Sequence, residues 1–494
     1  MPQLHGMVIK MYQTDCIAAI ATPSGTGGVA IVRISGKGSL EVADRVFRAA
    51  DGRTAGERSS RTLYYGEIAG DGFLDRGMCV IFRAPHSYTG EDSAELHCHG
   101  GVQIAQGVLR SVLAAGARMA ENGEFTKRAF LNGKLDLSSC EGVADMIHAR
   151  SAAEMRAASR LMEGELCERV SGAQDRLTDL ISQLEVLLDY PEEELPQMGR
   201  EEFAAGLKDL SGELKSLSDT YLYGSKLRSG LRVALCGKTN AGKSSLLNRL
   251  LGEEKAIVTE IEGTTRDVVE GELELSGMRL LLQDTAGLRE SQDEVEAIGI
   301  ERSRRAAEQA DLVLYVRDLS EADAPPIDLP ANCPVVTVWN KCDLSRIKSG
   351  QVQPGGADPG RSPDPLGTLQ ANCAEEPAAG RASQNRDSKD LSAREVTVSA
   401  RTGEGIAALR ELLTKFAAAQ AGGDELVLTN ERHYRTLLRA QDALAHALEG
   451  ISEKPCDLLA LDVRECWDIL GEITGVTATE DILDRIFSKF CLGK

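Results

Sequence analysis

Apolar and polar positions along this chain follow several successive rhythms. From residue 15 to about 135, apolar residues come in short runs (GVAIVRIS, GMCVIFRAP, AELHCH), broken by glycine-rich turns and one helix-like segment, VQIAQGVLRSVLAAG. Such runs predict strands, so the region reads as an α+β domain. From about 137 to 223 the period lengthens to that of a helix. Leu177, Leu180, Ile181, Leu184, Leu187 and Leu188 fall on one face, and Pro191 ends that helix because proline lacks a backbone donor. Between about 229 and 420 strand-like runs (LRVALCG, RLLLQDTAG, DLVLYVRD, PVVTVWNK, REVTVSA) alternate with helical ones after Ser244, around Ile298 to Ala310, and in GIAALRELLTKFA. That alternation predicts a mostly parallel sheet covered on both faces. From about 425 onward the period is helical again, with a Thr477-x-x-Glu480 capping box expected to open the last helix.

The simplest architecture is a multidomain α/β protein, in which an α/β domain is inserted into a discontinuous helical domain. The expected segments are 11–135 (N-terminal α+β), 136–225 (first helical half), 226–422 (α/β) and 423–494 (second helical half). Residues 348–391, rich in Pro, Gly, Ser and Asp, lack periodic apolar positions and are expected to form a disordered loop. Residues 1–10 precede Met11 and read as an alternative start.

Composition narrows the class. At 494 residues the chain is too long for one core, and its 42% hydrophobic content is ordinary globular usage. No apolar run approaches the roughly 18 residues needed to span a bilayer, and the first residues lack a secretory h-region. A cytoplasmic protein with no membrane role is expected. The twelve cysteines are scattered singly and read as reduced thiols. A net charge of −20 excludes a binder that coats nucleic acid with uniform basic surface, so RNA contact requires a local basic patch or a partner protein.

The α/β segment carries the sharpest chemistry. Gly237-Lys-Thr-Asn-Ala-Gly242-Lys243-Ser244 fits G-x-x-x-x-G-K-[ST] between a strand and a helix. Its backbone amides can wrap phosphates, Lys243 reaches the β/γ oxygens, and Ser244 Oγ can ligate Mg²⁺. Asp284-Thr-Ala-Gly287 follows another strand, where the aspartate can hold Mg²⁺ through water, and Thr265 in GTTRD can complete the metal shell. Asn340-Lys341-Cys342-Asp343 closes a further strand, and the Asp343 carboxylate can accept from guanine N1–H and N2–H₂, which adenine cannot supply. Ser399-Ala400-Arg401 can meet guanine O6 through backbone N–H. These elements in this order predict a P-loop GTPase (Ras-like G) domain. Leu288 follows Gly287 where Ras-type enzymes use a glutamine to orient water, so another group must do so; Glu290, Asp293, Glu294 and Glu296 are the nearby acids.

With these motifs, and with ATPSGTGGVAIVRISG, SYTGEDSAELHCHGG, GEFTKRAFLNGKLDL, AIVTEIEGTTRDV, DTAGLRESQDEVEAIGIERS and the terminal FCLGK, the chain resembles the MnmE (TrmE) family of tRNA modification GTPases. The resemblance implies a homodimer that forms a heterotetramer with an FAD-containing partner, MnmG. Together they add an aminomethyl or carboxymethylaminomethyl group at C5 of the tRNA wobble uridine, with a 5-formyl- or 5,10-methylene-tetrahydrofolate as one-carbon donor. It assigns Glu296 to positioning water, Asn240, Thr259, Ile261 and Thr264 to potassium, and Ser244 and Thr265 to magnesium. GTP contacts are implied for Asn240, Ala241, Gly242, Lys243, Ser244, Ser245, Thr259, Glu260, Ile261, Glu262, Gly263, Thr264 and Thr265. They are implied as well for Asp284, Thr285, Ala286, Gly287, Asn340, Lys341, Asp343, Ser399, Ala400 and Arg401. Arg33, Glu95, Lys134 and Lys494 match the folate-contacting positions, making the first segment a folate-binding and dimerisation domain, and Cys491 matches the family's terminal cysteine. A carboxylate such as Glu95 can pair with donors on a pterin edge, while the cations suit folate's carboxylates or carbonyls. His97-Cys98-His99 invites a metal reading, but no second ligand cluster stands out. The rival function is a regulatory GTPase switch in ribosome assembly; the folate-type stretches and FCLGK favour the modification enzyme.

Overall fold

A computed structural model describes residues 15–189, 197–252, 271–284, 306–321, 333–344, 394–420, 426–451 and 454–494. Pro191, the Ile298–Arg305 part of one expected helix, and the 348–391 segment lie outside the described residues. The chain divides into two compact units, Met1–Ala149 with Glu154–Ser225 and Leu426–Lys494, and Arg150–Ala153 with Lys226–Glu425.

The first unit begins with a seven-stranded sheet: β1 (Ile17–Ile20), β2 (Val29–Ser35), β3 (Phe47–Ala49), β4 (Tyr64–Gly70), β5 (Phe73–Phe82), β6 (Ser93–His99) and β7 (Arg118–Met119). They run in the order β3-β4-β5-β6-β2-β1-β7, antiparallel except for the β1–β7 pair. The period of two gives the sheet distinct faces. Val32, Ile34, Leu96, Cys98, Cys79 and Ile81 form a core with residues of α1 (Ser39–Val46) and α2 (Val102–Ala114). The alternate residues, among them Arg33, Glu95 and His97, are therefore free to do chemistry on the other face. There Ile17 and Ala19 pack with Phe125 of α3 (Glu124–Leu131).

The helices α4 (Leu137–His148), α5 (Ala152–Met162), α6 (Glu165–Asp189), α7 (Gln197–Asp219) and α8 (Tyr221–Ser229) follow. Leu177, Ile181 and Leu184 on α6 are buried and Leu180 is half-buried against the same core, as the leucine periodicity predicts, while the side chains of Leu187 and Leu188 lie outside the described residues. The second unit then holds β8 (Leu231–Cys236), α9 (Lys243–Gly252), β9 (Gly271–Leu275), β10 (Met278–Asp284), β11 (Leu312–Asp318), β12 (Val335–Asn340), β13 (Arg394–Thr397) and α10 (Ile406–Gln420). Its sheet order is β13-β12-β11-β8-β10-β9, parallel except for β9. Central β8 and β11 are apolar and almost wholly buried, as parallel strands covered on both faces must be. The antiparallel edge β9 was not anticipated. It pairs with β10 through a two-residue turn, Ser276-Gly277, both at positive φ, which is type I′ hairpin geometry. Strand order reverses around β8, so the loops leaving β8, β10 and β12 converge where open α/β sheets bind ligands.

The chain returns to the first unit with α11 (Glu431–Gly450), α12 (Cys456–Thr474) and α13 (Glu480–Phe487). Leu177, Leu184, Leu207 and Leu214 from the first half share one core with Leu437, Leu444, Val463 and Leu470 from the second. Thr479, not Thr477, is the N-cap of α13, so the expected capping box does not form. The left-handed Gly475 that ends α12 folds the chain back, Thr477 N donates to Gly471 O, and Thr477 Oγ1 is spent on Asp468 O at 2.6 Å.

One ion cluster ties the halves together. Glu141 of α4 accepts from Asn430 Nδ2 at 3.0 Å, Arg432 Nε at 3.0 Å and NH2 at 2.5 Å, and His433 Nε2 at 2.6 Å. A nitrogen that close to a carboxylate must carry the proton, so His433 donates. Arg432 NH1 also reaches Glu472 O of α12 at 2.7 Å. Burial opposes charge on Glu141, but His433 and then Arg432 outweigh it and bring its pKa from 4.5 to about 2. Glu141→Ala, which strands the Arg432 cation, is expected to cost about 3–5 kcal/mol in denaturant unfolding at neutral pH. Because the folded pKa is depressed, the contribution is complete above about pH 4.5 and is lost as pH falls toward 2. The gap between wild type and variant should therefore shrink on acidification; a gap independent of pH would contradict the charged pairing.

Candidate functional site

The loop leaving β8 turns sharply enough to make glycine necessary. A Cβ on Gly242, whose φ is +94°, would sit 2.2 Å from Asn340 Nδ2. Asn240, exposed on the same loop, is also left-handed at φ 65°. Lys243 then opens α9, and its buried Nζ donates to Gly237 O at 2.8 Å and Lys238 O at 3.0 Å. Burial lowers its pKa, with Asp284 pulling the other way. Ser244 Oγ donates to Asp284 Oδ2 at 2.6 Å, bringing two hard oxygens together at the start of the helix. That donor set fits Mg²⁺.

On the other side Asn340, only 2% exposed, donates from Nδ2 to Ala241 O at 2.9 Å and accepts from Ala400 N at 3.0 Å. It bridges the phosphate loop and the 399–401 loop. Lys341 Nζ pairs with Asp318 Oδ2 at 2.7 Å. Asp343 Oδ1 accepts from Ser399 Oγ at 2.7 Å, and Arg249 of α9 donates to Ala400 O at 3.1 Å and Arg401 O at 2.5 Å. Hydrogen bonds thus link the loops that carry Ala241, Gly242, Lys243, Ser244, Asp284, Asn340, Lys341, Asp343, Ser399, Ala400 and Arg401, with Ser245 exposed in the first turn of α9. Thr259, Glu260, Ile261, Glu262, Gly263, Thr264, Thr265, Thr285, Ala286, Gly287, Leu288 and Glu296 lie outside the described residues. Sequence reading missed Arg249 and Asp318, since an arginine in a helix and an aspartate ending a strand carry no signal of their own.

A second polar site stands on the open face of the N-terminal sheet, within the first unit. Arg33 of β2 and Glu95 of β6 are direct cross-strand partners, Arg33 Nε donating to Glu95 Oε1 at 2.9 Å. The guanidinium lies between the rings of Tyr88 and Phe125, 5.6 and 5.7 Å from their centroids. Arg33 NH1 also meets Gly493 O at 3.5 Å, bringing the C-terminal tail onto the sheet. Gly493 lies against β1, where a Cβ would be 2.3 Å from Ile20 O, so only glycine lets the tail approach. Burial, then repulsion from Arg33, lowers the pKa of Lys494, and Glu95 offsets part of this. Glu95 is pushed up by burial, but His97 and Arg33 more than cancel it and keep its carboxyl below the usual range. Lys134 Nζ donates to Pro85 O at 3.0 Å, anchoring the loop that carries Tyr88. Cys491 is exposed, its Sγ 3.9 Å from His148 Nε2. The His97 and His99 rings share a face but serve different carboxylates, His99 Nδ1 donating to Asp75 Oδ1 at 2.6 Å and His97 Nε2 lying 3.5 Å from Glu95 Oε2. Among the described residues no group of three His, Cys, Asp or Glu could hold a metal ion. Tyr88 and Phe125 were missed by sequence reading, because only the fold sets them around Arg33.

Residues 16–134 match the family model for the GTP-binding protein TrmE N-terminus, and residues 137–491 that for the MnmE helical domain. Among similar curated proteins, the tRNA modification GTPase MnmE of Symbiobacterium thermophilum is 43% identical over 491 residues, covering 97% of this chain and 99% of that protein. Those of Bacillus velezensis and Clostridioides difficile are 39% and 37% identical, covering 97% and 98% of this chain and the whole of each relative. No described helix is long and apolar enough to cross a membrane.

Asp343→Asn should switch base preference from guanine to xanthine, because the new amide donates where xanthine offers a carbonyl. Competition of GTP and xanthosine triphosphate for the purified chain reads this out. Undiminished GTP affinity with no gain for the xanthine nucleotide would remove Asp343 from the base site.

Proposed function

This chain belongs to the family of tRNA modification GTPases, GTP hydrolases that act in tRNA modification, and on that premise we propose a more specific role for it. It is a potassium-activated GTPase of the cytoplasm that works as a homodimer with an FAD-containing partner, MnmG. Together they form the 5-aminomethyl or carboxymethylaminomethyl group of the tRNA wobble uridine, with a tetrahydrofolate derivative giving the one-carbon unit. The working segments are 11–135, 136–225 with 423–494, and 226–422. The observation that carries the reading is that each unit builds its own polar site: a phosphate loop with Asp343 in one, and the Arg33–Glu95 pair with Lys494 in the other.

In the nucleotide site Lys243 exchanges its loop carbonyls for the β/γ oxygens of GTP, and Asp343 exchanges Ser399 for the guanine edge. Ser244 and Asp284, with Thr265, would hold Mg²⁺, which neutralises charge on the phosphates. Glu296 orients the attacking water in place of the glutamine that Leu288 replaces. Asn240, with carbonyls from Thr259, Ile261 and Thr264, would hold K⁺, which would supply positive charge to offset that of the phosphates.

In the other site the residues present fit a reduced folate. Glu95 Oε2 has lone pairs for the donors of a pterin edge, Arg33 holds that carboxylate in place, and Lys494 and Lys134 are cations suited to carbonyl or carboxylate groups. The acidity of the chain, −20, fits a protein that leaves much of the RNA contact to its partner. Nucleoside analysis of tRNA from cells lacking the protein tests the role: loss of the modified wobble uridine is expected, and an unchanged nucleoside profile would overturn it.

An arginine finger is typically worth 10³–10⁵ in rate, or about 4–7 kcal/mol of barrier, and a bound cation must replace part of it. Phosphate release should therefore be fast in potassium or rubidium and slow in sodium at matched ionic strength, with the contrast lost in Asn240→Ala. Equal rates in the two salts would eliminate the cation mechanism while leaving the GTPase standing.

A further inference from the structure

On the open face of the N-terminal sheet one buried polar atom is left under-satisfied. His97 Nε2 is covered from solvent and makes no well-formed hydrogen bond. Its nearest acceptor, Glu95 Oε2, is 3.5 Å away. Its cross-strand partners on both sides are apolar, Ile31 on β2 and Met78 on β5, so the sheet offers no alternative. An under-satisfied buried polar atom is costly and uncommon, and a polar group of a ligand can complete its hydrogen bonding. The imidazole as a whole is 18% exposed, so the ring borders open space.

The neighbouring carboxylate sets which way the pair reads. Glu95 is held ionised, and its Oε1 is engaged by Arg33 Nε at 2.9 Å. Oε2 is therefore an acceptor with a free lone pair, and a carboxylate so near favours the proton on His97 Nε2. The pair presents an acceptor and a donor side by side, 3.5 Å apart. Its complement is a ring edge carrying an N–H next to a carbonyl, as in a lactam.

We infer that His97 is a specificity-determining residue of this pocket: its Nε2–H donates to the ring carbonyl of a 2-amino-4-oxo-pyrimidine edge while Glu95 Oε2 accepts from the adjacent ring N–H. The inference rests on the folate reading of the pocket and adds to it the residue that distinguishes the ring's carbonyl. The Arg33 guanidinium, fixed between Tyr88 and Phe125, is left to steady Glu95.

The test uses the full chain and 5-formyltetrahydrofolate in isothermal titration. His97→Phe should weaken binding by about tenfold, the size of one buried hydrogen bond, while His97→Gln, which keeps an N–H on a similar reach, should stay within about twofold of wild type. GTP turnover should be the same in all three. Equal weakening in both variants would reduce His97 to a packing residue and overturn the inference, as would undiminished affinity in His97→Phe. A second measurement needs no variant. In ¹⁵N-histidine spectra the wild-type Nε2–H should shift and become protected from solvent exchange when the probe saturates, and an unmoved resonance overturns the inference. Failure of wild type to bind the probe at all would instead remove the folate reading itself, and the inference with it.

Discussion

Glu141 is the constraint on which the first unit depends. The chain leaves that unit at Ser225 and re-enters it at Leu426, so nothing covalent nearby holds its helical halves in register. A carboxylate buried on α4 supplies the register instead, collecting Asn430, Arg432 and His433 just as the returning chain begins α11. Asn430 is also the N-cap of that helix, accepting from Arg432 N, so the group that starts the helix also docks it. The consequence runs to the C-terminus. With α11 and α12 in register, α13 lays Phe487 and Phe490 into a small core with Leu137 and Cys140, and the last residues reach the sheet carrying Arg33.

The nucleotide site uses a different economy. Among the described residues, three polar groups that would meet the nucleotide already have internal partners: Lys243 with two loop carbonyls, Ser244 with Asp284, Asp343 with Ser399. A ligand therefore exchanges hydrogen bonds and strips little water from bare charges, which keeps the desolvation cost low. Asn340 stands apart from the exchange, since both ends of its amide are committed to holding two loops together.

Much of this was legible in sequence where chemistry is local. The phosphate loop had to follow a buried strand and open a helix, and Gly237 to Ser244 do so between β8 and α9. Leu177, Ile181 and Leu184 of α6 announced their buried face by spacing alone. Less legible was anything decided by neighbours distant in sequence. GELEL alternates correctly, yet five residues with two glutamates look like loop until β10 pairs with them. Thr477 satisfied a capping pattern, but the left-handed turn at Gly475 claimed it first. Asn340, read as one of the GTP contacts, gave no sign in the sequence that its amide also holds two loops together. The meeting of Arg33 with Gly493 spans 460 positions and has no local signature; only the family resemblance of FCLGK pointed there.

The C-terminal tail meets the N-terminal sheet at Arg33 and Glu95, and the proposed folate pocket stands or falls on that meeting. The direct measurement is calorimetric titration of a formyl-tetrahydrofolate, and separately of GDP, into the full chain and into a chain lacking residues 491–494. Folate affinity should fall by about tenfold or more in the shortened chain, because the Gly493 carbonyl and the Lys494 ammonium are gone, while GDP affinity stays the same. Equal folate affinity in the two proteins would contradict the account.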